Sequence, residues 1–504
     1  MSLPLQERVE EGGLTFLLTP AQNRPAHVAA APRTSIPALR PGEQYRFHFD
    51  MTKCIGCRCC EVACNEQNNN PPEIRWRRVG EIEGGRYPFT QRFYLSMACN
   101  HCLEPSCLTG CPVDAYRKDP ATGLVLHSGE TCIGCQYCTW NCPYGAPQYN
   151  PERGVVGKCD MCYGRLAEGR EPACAAACPQ GAIQIEAVDA ARWRQQYAKE
   201  ANAPGLPAAD HTVSATRITP PAGAAWKLDR VDRHRVRPAQ PHTPLVAMTV
   251  LTQLSAGALL AVWLLQAMGK AAAFGLAAAA LGVAVLSLAA STLHLGRPIY
   301  AWRALRMWKR SWLSREVLLF TGFAFAASLY AGTLWMGAAG SGAAGALTVL
   351  LGAAGVTASA FLYLVPARPA WNSPHTLAEF HLTALLLGPL FVAAGCRDPL
   401  LARWAVVAAA GQWLNQILKF LWLSRSGEFE LRASARLLSS DLRWRFAARL
   451  ALLMAGGMAL PLLGWQRTAL AVALAGELLG RHLFFVSVAP KNTAASFFES
   501  RVAA

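Results

Sequence analysis

The chain has 504 residues, a formal net charge of +16 and 18 cysteines, and 52% of it is apolar. That length exceeds a single domain. The positive balance fits nucleic acid poorly, because most of it flanks apolar segments and cysteines acting as thiolate ligands offset part of it.

Residues 1–45 are rich in Pro and Ala and show little periodicity. They read as an N-terminal arm that lies on a partner or stays disordered. They contain neither an apolar signal core nor a twin arginine, so the disulfide framework of an exported protein is not expected.

Residues 46–201 hold every cysteine except Cys396. RFHFDMTKC reads as a strand entering a cysteine loop. CIGCQYCTWNCP places Cys132, Cys135, Cys138 and Cys142 at C-x2-C-x2-C-x3-C-P, the bacterial ferredoxin spacing. Laid over CIGCRCCEVAC, that spacing selects Cys54, Cys57, Cys60 and Cys64, with Cys59 left aside. CNHCLEPSCLTGCP supplies Cys99, Cys102, Cys107 and Cys111. CDMCYGRLAEGREPACAAACP supplies Cys159, Cys162, Cys174 and Cys178. Three thiolates in a tight loop wrap one cube, and the fourth, beyond a turn, faces another cluster. Pro112, Pro143 and Pro179 make that turn after three of the runs; Asn65 takes the place in the first. Zinc sites are built from two C-x2-C pairs and do not use a third cysteine at the same short interval. Four [4Fe–4S] clusters are therefore expected. Residues 187–201 read as a helix that closes the domain.

Residues 202–242 form a Pro-rich and then basic linker. Residues 243–490 follow with eight apolar stretches, at 244–267, 271–293, 316–337, 346–366, 377–395, 402–423, 446–464 and 468–488. Most reach the roughly 20 residues that cross a bilayer, and their Gly and Ala suit close helix packing in lipid. Residues 491–504 remain as a tail.

Residues 47–185 resemble the four-cluster iron–sulfur subunit of the dimethyl sulfoxide reductase family of molybdopterin oxidoreductases, on CNHCLEPSCLTGCP, CIGCQYCTWNCPYGAPQYN and GKCDMCYGRLAEG. Residues 243–490 resemble that family's membrane anchor, on STLHLGRP, LSREV and AGELLGR. The chain thus looks like two usually separate subunits fused. The resemblance implies an α+β ferredoxin-like four-cluster domain followed by an all-α eight-helix transmembrane bundle. It implies one cluster on Cys54, Cys57, Cys60 and Cys178, and a second on Cys64, Cys159, Cys162 and Cys174. A third falls to Cys99, Cys102, Cys107 and Cys142, and a fourth to Cys111, Cys132, Cys135 and Cys138. Cys107 stands where nitrate-reductase relatives carry a Trp and a three-iron cluster, so four cubanes are expected. A molybdopterin-containing catalytic subunit is the implied partner, because no pterin chemistry is visible in this chain.

Ionisable groups within membrane segments need a reason. The resemblance makes His294 of the HLG motif a quinone-binding residue, with Arg297 as the nearby cation and Glu316 as a proton carrier. Their plainer roles are an interfacial histidine with its hydrogen bonds satisfied and, for Glu316, an ion pair with Arg315 or Arg297. Glu477 and Arg481 are expected to pair with each other at four-residue spacing. Lys419 is expected to snorkel. A b-type haem would need opposed histidines, for which His381 and His482 are the candidates, and no haem is expected.

The expected function is an electron-transfer and anchoring subunit of a quinone-linked molybdopterin oxidoreductase. It passes electrons from menaquinol or ubiquinol to a catalytic subunit that reduces dimethyl sulfoxide or another S- or N-oxide. The alternative runs the same path in reverse, as a sulfite dehydrogenase delivering electrons to quinone. A sensor fits less well beside four clusters and a quinone motif, and a transporter would carry broken helices and an inverted repeat, which the sequence does not show. Lys and Arg crowd the linker, the 297–315 loop, the 425–445 loop and the tail. The opposite loops carry only Lys270, Arg397, Arg403 and Arg467. By the positive-inside rule, a multi-pass inner (cytoplasmic) membrane protein with its iron–sulfur domain and both termini in the cytoplasm is expected.

Overall fold

The computed structural model describes residues 7–11, 14–18, 36–86, 89–203, 206–221, 229–230, 236–270 and 274–491. Most of the arm and of the tail, with residues 222–228 and 231–235 of the linker, lies outside them. Within the arm, Glu7–Glu11 and Leu14–Leu18 pair as antiparallel strands.

The cysteine-rich part is built from small sheets joined by the cysteine loops. Strand Glu43–Asp50 is central to one sheet: Ile183–Asp189 pairs with it antiparallel, and Arg217–Thr219 parallel on its other side. The register sets Ile183 against Phe49 and Ile185 against Phe47. All four side chains are buried in one core with Cys60, Cys99 and Cys174. Arg78–Arg86 and Phe89–Met97 form a second antiparallel pair, to which Asp229–Arg230 adds an edge. Two short hairpins, Tyr116–Lys118 with Val125–His127 and Gln148–Asn150 with Val155–Gly157, stand beside cysteine runs.

Strand Glu43–Asp50 begins inside the segment read as an arm, and residues 206–221, read as linker, pack on the cysteine-rich part. Helix Ala190–Glu200, capped by the Asp189 carboxylate, buries Trp193, and its indole N–H donates to the Ser214 carbonyl at 2.8 Å. The amide of Leu103 donates to the Val213 carbonyl at 2.9 Å. An aromatic donor and open backbone groups thus draw in a segment whose composition alone reads as a tether.

The second part is helical. Seven helices among the described residues are long and apolar enough to cross a membrane: Thr243–Ala267, Phe274–Thr292, Trp312–Met336, Ser341–Leu362, Pro374–Cys396, Arg443–Leu462 and Gln466–Val486. Eight were expected. Helix Pro399–Arg425, over the sixth stretch, has 27 residues but carries Gln412, Asn415, Gln416 and Lys419, which lower its hydropathy. The third helix begins at Trp312, which moves Glu316 a full turn inside it.

Glycines set the closest approaches. A Cβ on Gly257 of the first helix would strike the Ala384 carbonyl of the fifth, and one on Gly388 would strike the Gly257 backbone. Such contact between backbones is how helices gain packing where lipid removes the hydrophobic drive. Helix Arg443–Leu462 widens into a π-turn over Leu453–Ala459, where Gly456 meets helix Gln466–Val486 and Gly457 meets helix Pro399–Arg425.

Candidate functional site

The cysteines gather in sets that draw on different runs. Cys54, Cys57, Cys60 and Cys178 line one cavity with Phe49, Val79 and Ser96. Cys99, Cys102, Cys107 and Cys142 line another, beside Tyr144, Lys158 and Thr212. Burial first, then the neighbouring Cys174 and Cys162 thiolates, push the Cys64 thiol up. Cys159 is raised in the same way by burial, Cys64, Cys99 and Cys174. Burial, then Cys135, Cys132 and Cys111, raise Cys138. Cys64, Cys159, Cys162 and Cys174 are thus neighbours, as are Cys111, Cys132, Cys135 and Cys138, which makes four groups, and Cys59 stays exposed.

These sets suit polynuclear clusters. Backbone N–H groups donate to Sγ of Cys111 from Ala115, of Cys132 from Gly134, of Cys159 from Met161 and of Cys178 from Ala182, at 3.2–3.4 Å. Such bonds stabilise thiolate and tune a bound cluster. The loops reach this geometry through left-handed backbone at Gly56 and Gly134 of the two CIGC motifs, each at φ 71°.

Shared neighbours order the sets. Arg77 is fully buried; burial would lower its pKa, but Cys174, Cys60, Cys159 and Cys64 hold it above its ordinary value. It therefore stands between the Cys54 set and the Cys64 set. Lys158, also buried, is opposed by burial and raised by Cys99, Cys107 and Cys159, between the Cys64 and Cys99 sets. Tyr116 is pushed up by burial, then by Cys138 and Cys107, between the last two sets. The two cations would supply the positive charge that adjacent anionic clusters need in a low-dielectric interior.

The Cys111–Cys138 set abuts the membrane helices. A cavity of about 310 Å³ is lined on one side by Ile133, Cys135, Tyr137 and Trp140, and on the other by Met248, His294, Glu316 and Tyr363. His294 Nε2 lies 2.9 Å from the Cys135 carbonyl oxygen. A carbonyl only accepts, so Nε2 carries the hydrogen and Nδ1 keeps its lone pair. Burial lowers the His294 pKa against the pull of that carbonyl. Glu316 is 4% exposed. Arg297 does not line the cavity: its N–H donates to the Ile133 carbonyl at 3.1 Å and its Nη1 to the Gly129 carbonyl at 2.9 Å.

Sequence reasoning missed several cavity residues. The Tyr137 hydroxyl donates to the Leu362 carbonyl at 2.8 Å. The Trp140 ring stacks at 26° on His294, 6.5 Å between centroids, and meets His242, Tyr363, Trp371 and Phe485. The available signal was a pair of aromatics inside a cysteine loop, QYCTWN. Gly296 was missed too. A Cβ there would strike the Gly154 carbonyl, and one on Gly134 would meet Gly154 and Gly296. Gly296→Val is expected to lower quinol-driven turnover more than dye-driven turnover, and to destabilise by about 1–3 kcal/mol through overpacking. Thermal melts beside the two assays check this; an unchanged ratio of rates would remove Gly296 from the coupling.

The other polar groups depart from expectation. Glu477 pairs with Arg449 at 2.7 Å instead of with Arg481, whose Nη2 donates to Gln253 at 3.1 Å. Lys419 does not snorkel but pairs with Glu379 at 3.1 Å. In both cases a partner on another helix was closer than the one along the helix or at the lipid surface. His381 bonds the Leu377 carbonyl and Thr357, and His482 faces Arg445.

Comparison with known proteins adds the following. The family model described as a 4Fe-4S dicluster domain matches residues 90–188, and the one described as the DMSO reductase anchor subunit (DmsC) matches residues 238–419. The sequence is 39% identical over 179 residues to one of the polypeptides of the anaerobic dimethyl sulfoxide reductase of Haemophilus influenzae, covering 34% of this chain and 86% of that protein. It is 39% identical over 189 residues to the probable anaerobic dimethyl sulfoxide reductase chain YnfG of Escherichia coli, covering 36% and 91%. Over 155 residues it is 34% identical to one of the subunits of the sulfite dehydrogenase of Allochromatium vinosum, covering 27% and 65%.

Proposed function

The chain belongs to the family of anaerobic dimethyl sulfoxide reductase iron–sulfur subunits and carries that enzyme's anchor domain in the same polypeptide, and from that premise we propose how it conducts electrons. It is the electron-transfer and membrane-anchoring subunit of a quinone-linked molybdopterin oxidoreductase, and its partner is the molybdopterin catalytic subunit. We infer four [4Fe–4S] clusters, in ferredoxin-like folds, on the four cysteine sets described above, arranged in series from Cys54 to Cys138. The domains are those read from the sequence, with residues 43–45 and 206–221 joined to the cluster domain. Helix Pro399–Arg425 crosses the membrane as an eighth span, its polar side chains turned into the bundle.

The observation that carries the reading is the cavity wall shared by Cys135 and His294. A quinol seated there lies against the protein shell of the last cluster, and short distance is what electron transfer needs. The clusters supply one-electron carriers. His294 Nδ1 accepts a hydroxyl proton from the quinol, and Glu316 offers a second acceptor in the same cavity. The Cys135 carbonyl fixes the imidazole tautomer that makes this possible. Arg297 holds the HLGRP loop on the cluster domain and acts on the quinone through that position. Terminal reduction of an S- or N-oxide such as dimethyl sulfoxide follows from the relatives. The likeness to a sulfite dehydrogenase subunit supports the reverse flow as the second reading.

The test uses the complex with its catalytic subunit. Reduction of dimethyl sulfoxide by a menaquinol analogue supports the first reading; sulfite-driven quinone reduction without it supports the second; neither activity would sink both. On the basic loops, we place the cluster domain on the cytoplasmic face of the inner membrane. A fluorescent protein fused after Ala504 should glow, and a periplasm-active phosphatase at that place should be silent; active phosphatase with a dark fluorophore would overturn this topology.

A further inference from the structure

The AGELLGR motif serves neither the clusters nor the quinone cavity. It lies in helix Gln466–Val486 at the centre of a buried charged group in the C-terminal half of the bundle. Arg449 is 1% exposed and commits one nitrogen, Nη2, to Glu477. Its Nε and Nη1 are buried without a hydrogen-bond partner, as is Nε2 of Gln416. Both residues line a small cavity of about 30 Å³, together with Trp371, Glu379, Lys419 and Gly480. That is room for one small ion and a water.

The helix is cleared to seat the guanidinium. A Cβ on Gly480 would strike Arg449, and one on Gly476 would lie 3.4 Å from its Nη1. The glycine spacing of the motif therefore makes a flat bed for Arg449. The charges do not balance: Glu379 and Glu477 face Lys419, Arg449 and Arg481. Glu379 is held by Lys419 at 3.1 Å, and Arg481 has the Gln253 oxygen and the Phe380 ring, with its Cζ 3.7 Å from the ring centroid. Arg481, with Nε and Nη1 also buried without a partner, is the cation left without a carboxylate, so the group as a whole carries one surplus positive charge at membrane depth, where it is costly. A water would solvate it without cancelling it. The free groups at the cavity are donors, and an occupant that only accepts satisfies both the donors and the charge.

We propose that this cavity binds a small monovalent inorganic anion of the halide class, held by Arg449 and Gln416. The site is independent of the quinone reading, since it shares no lining residue with that cavity. The probe is bromide. The full chain in its complex is melted at constant ionic strength while gluconate is replaced by bromide. The melting temperature should rise saturably by a few degrees, and X-ray data at the bromine edge should give an anomalous peak beside Arg449. Arg449→Gln strands Glu477 and risks unfolding, so Gln416→Leu is the deciding variant. It leaves every ion pair in place and should raise the half-saturating bromide concentration at least tenfold. Identical melts in bromide and gluconate, an unmoved midpoint in Gln416→Leu, or a water alone at the site would each overturn the proposal.

Discussion

Replacing His294 by Ala is expected to slow quinol-driven turnover by about 100-fold or more, the usual worth of a positioned proton acceptor. Dye-driven turnover and the paramagnetic signals of the clusters should stay at wild-type levels, because a soluble dye donates to the clusters directly. The variant also removes the hydrogen bond to the Cys135 carbonyl. His294→Gln separates the two roles: its amide N–H can still reach that carbonyl, but the ring lone pair is gone. It should therefore hold the domains together and still fail to oxidise quinol. Wild-type quinol oxidation in His294→Ala would take the residue out of the mechanism.

Iron and acid-labile sulfide should each come to about 16 per chain, four for each cysteine set. Cys135→Ser should lose about four of each. Its other three sets should keep their signals, while electron entry from quinol falls below detection. Cys59→Ser should change nothing, since Cys59 is exposed and outside the sets. Iron near half the expected value, or stoichiometric zinc, would dismiss the cluster assignment. Loss of a cluster in Cys59→Ser would mean that the first run uses a different four.

What could be read from the sequence was whatever repeats at short range. The spacing from Cys132 to Cys142 fixes a loop around a cluster because the chain between ligands has only two or three residues to arrange. Apolar stretches of bilayer length announce helices for a similar reason. What could not be read depends on contacts across long separations. Glu477 and Arg481 are four apart on one helix, which favours pairing, yet Arg449 arrives from the preceding helix and takes the carboxylate. Arg297 follows His294 closely in the motif, but the turn after Leu295 points it at Gly129 and Ile133. Residues 206–221 look like tether until Trp193 supplies a donor for Ser214. Trp140 meets six aromatic rings, and of these only Tyr137 lies near it in sequence.

The contact of Gly296 with Gly134 and Gly154, with the bond from Tyr137 to Leu362, joins two halves that are covalently one chain. Separate subunits would have to overcome roughly 4–15 kcal/mol of lost translational and rotational freedom to meet there. A peptide tether replaces that by an effective concentration in the millimolar range. A contact too weak to hold free partners together therefore stays closed here. The surface between cluster and quinone cavity is released from selection for affinity and can be shaped for distance and alignment alone. Its stoichiometry is fixed at one to one, so no anchor sits in the membrane without a cluster domain to take its electrons.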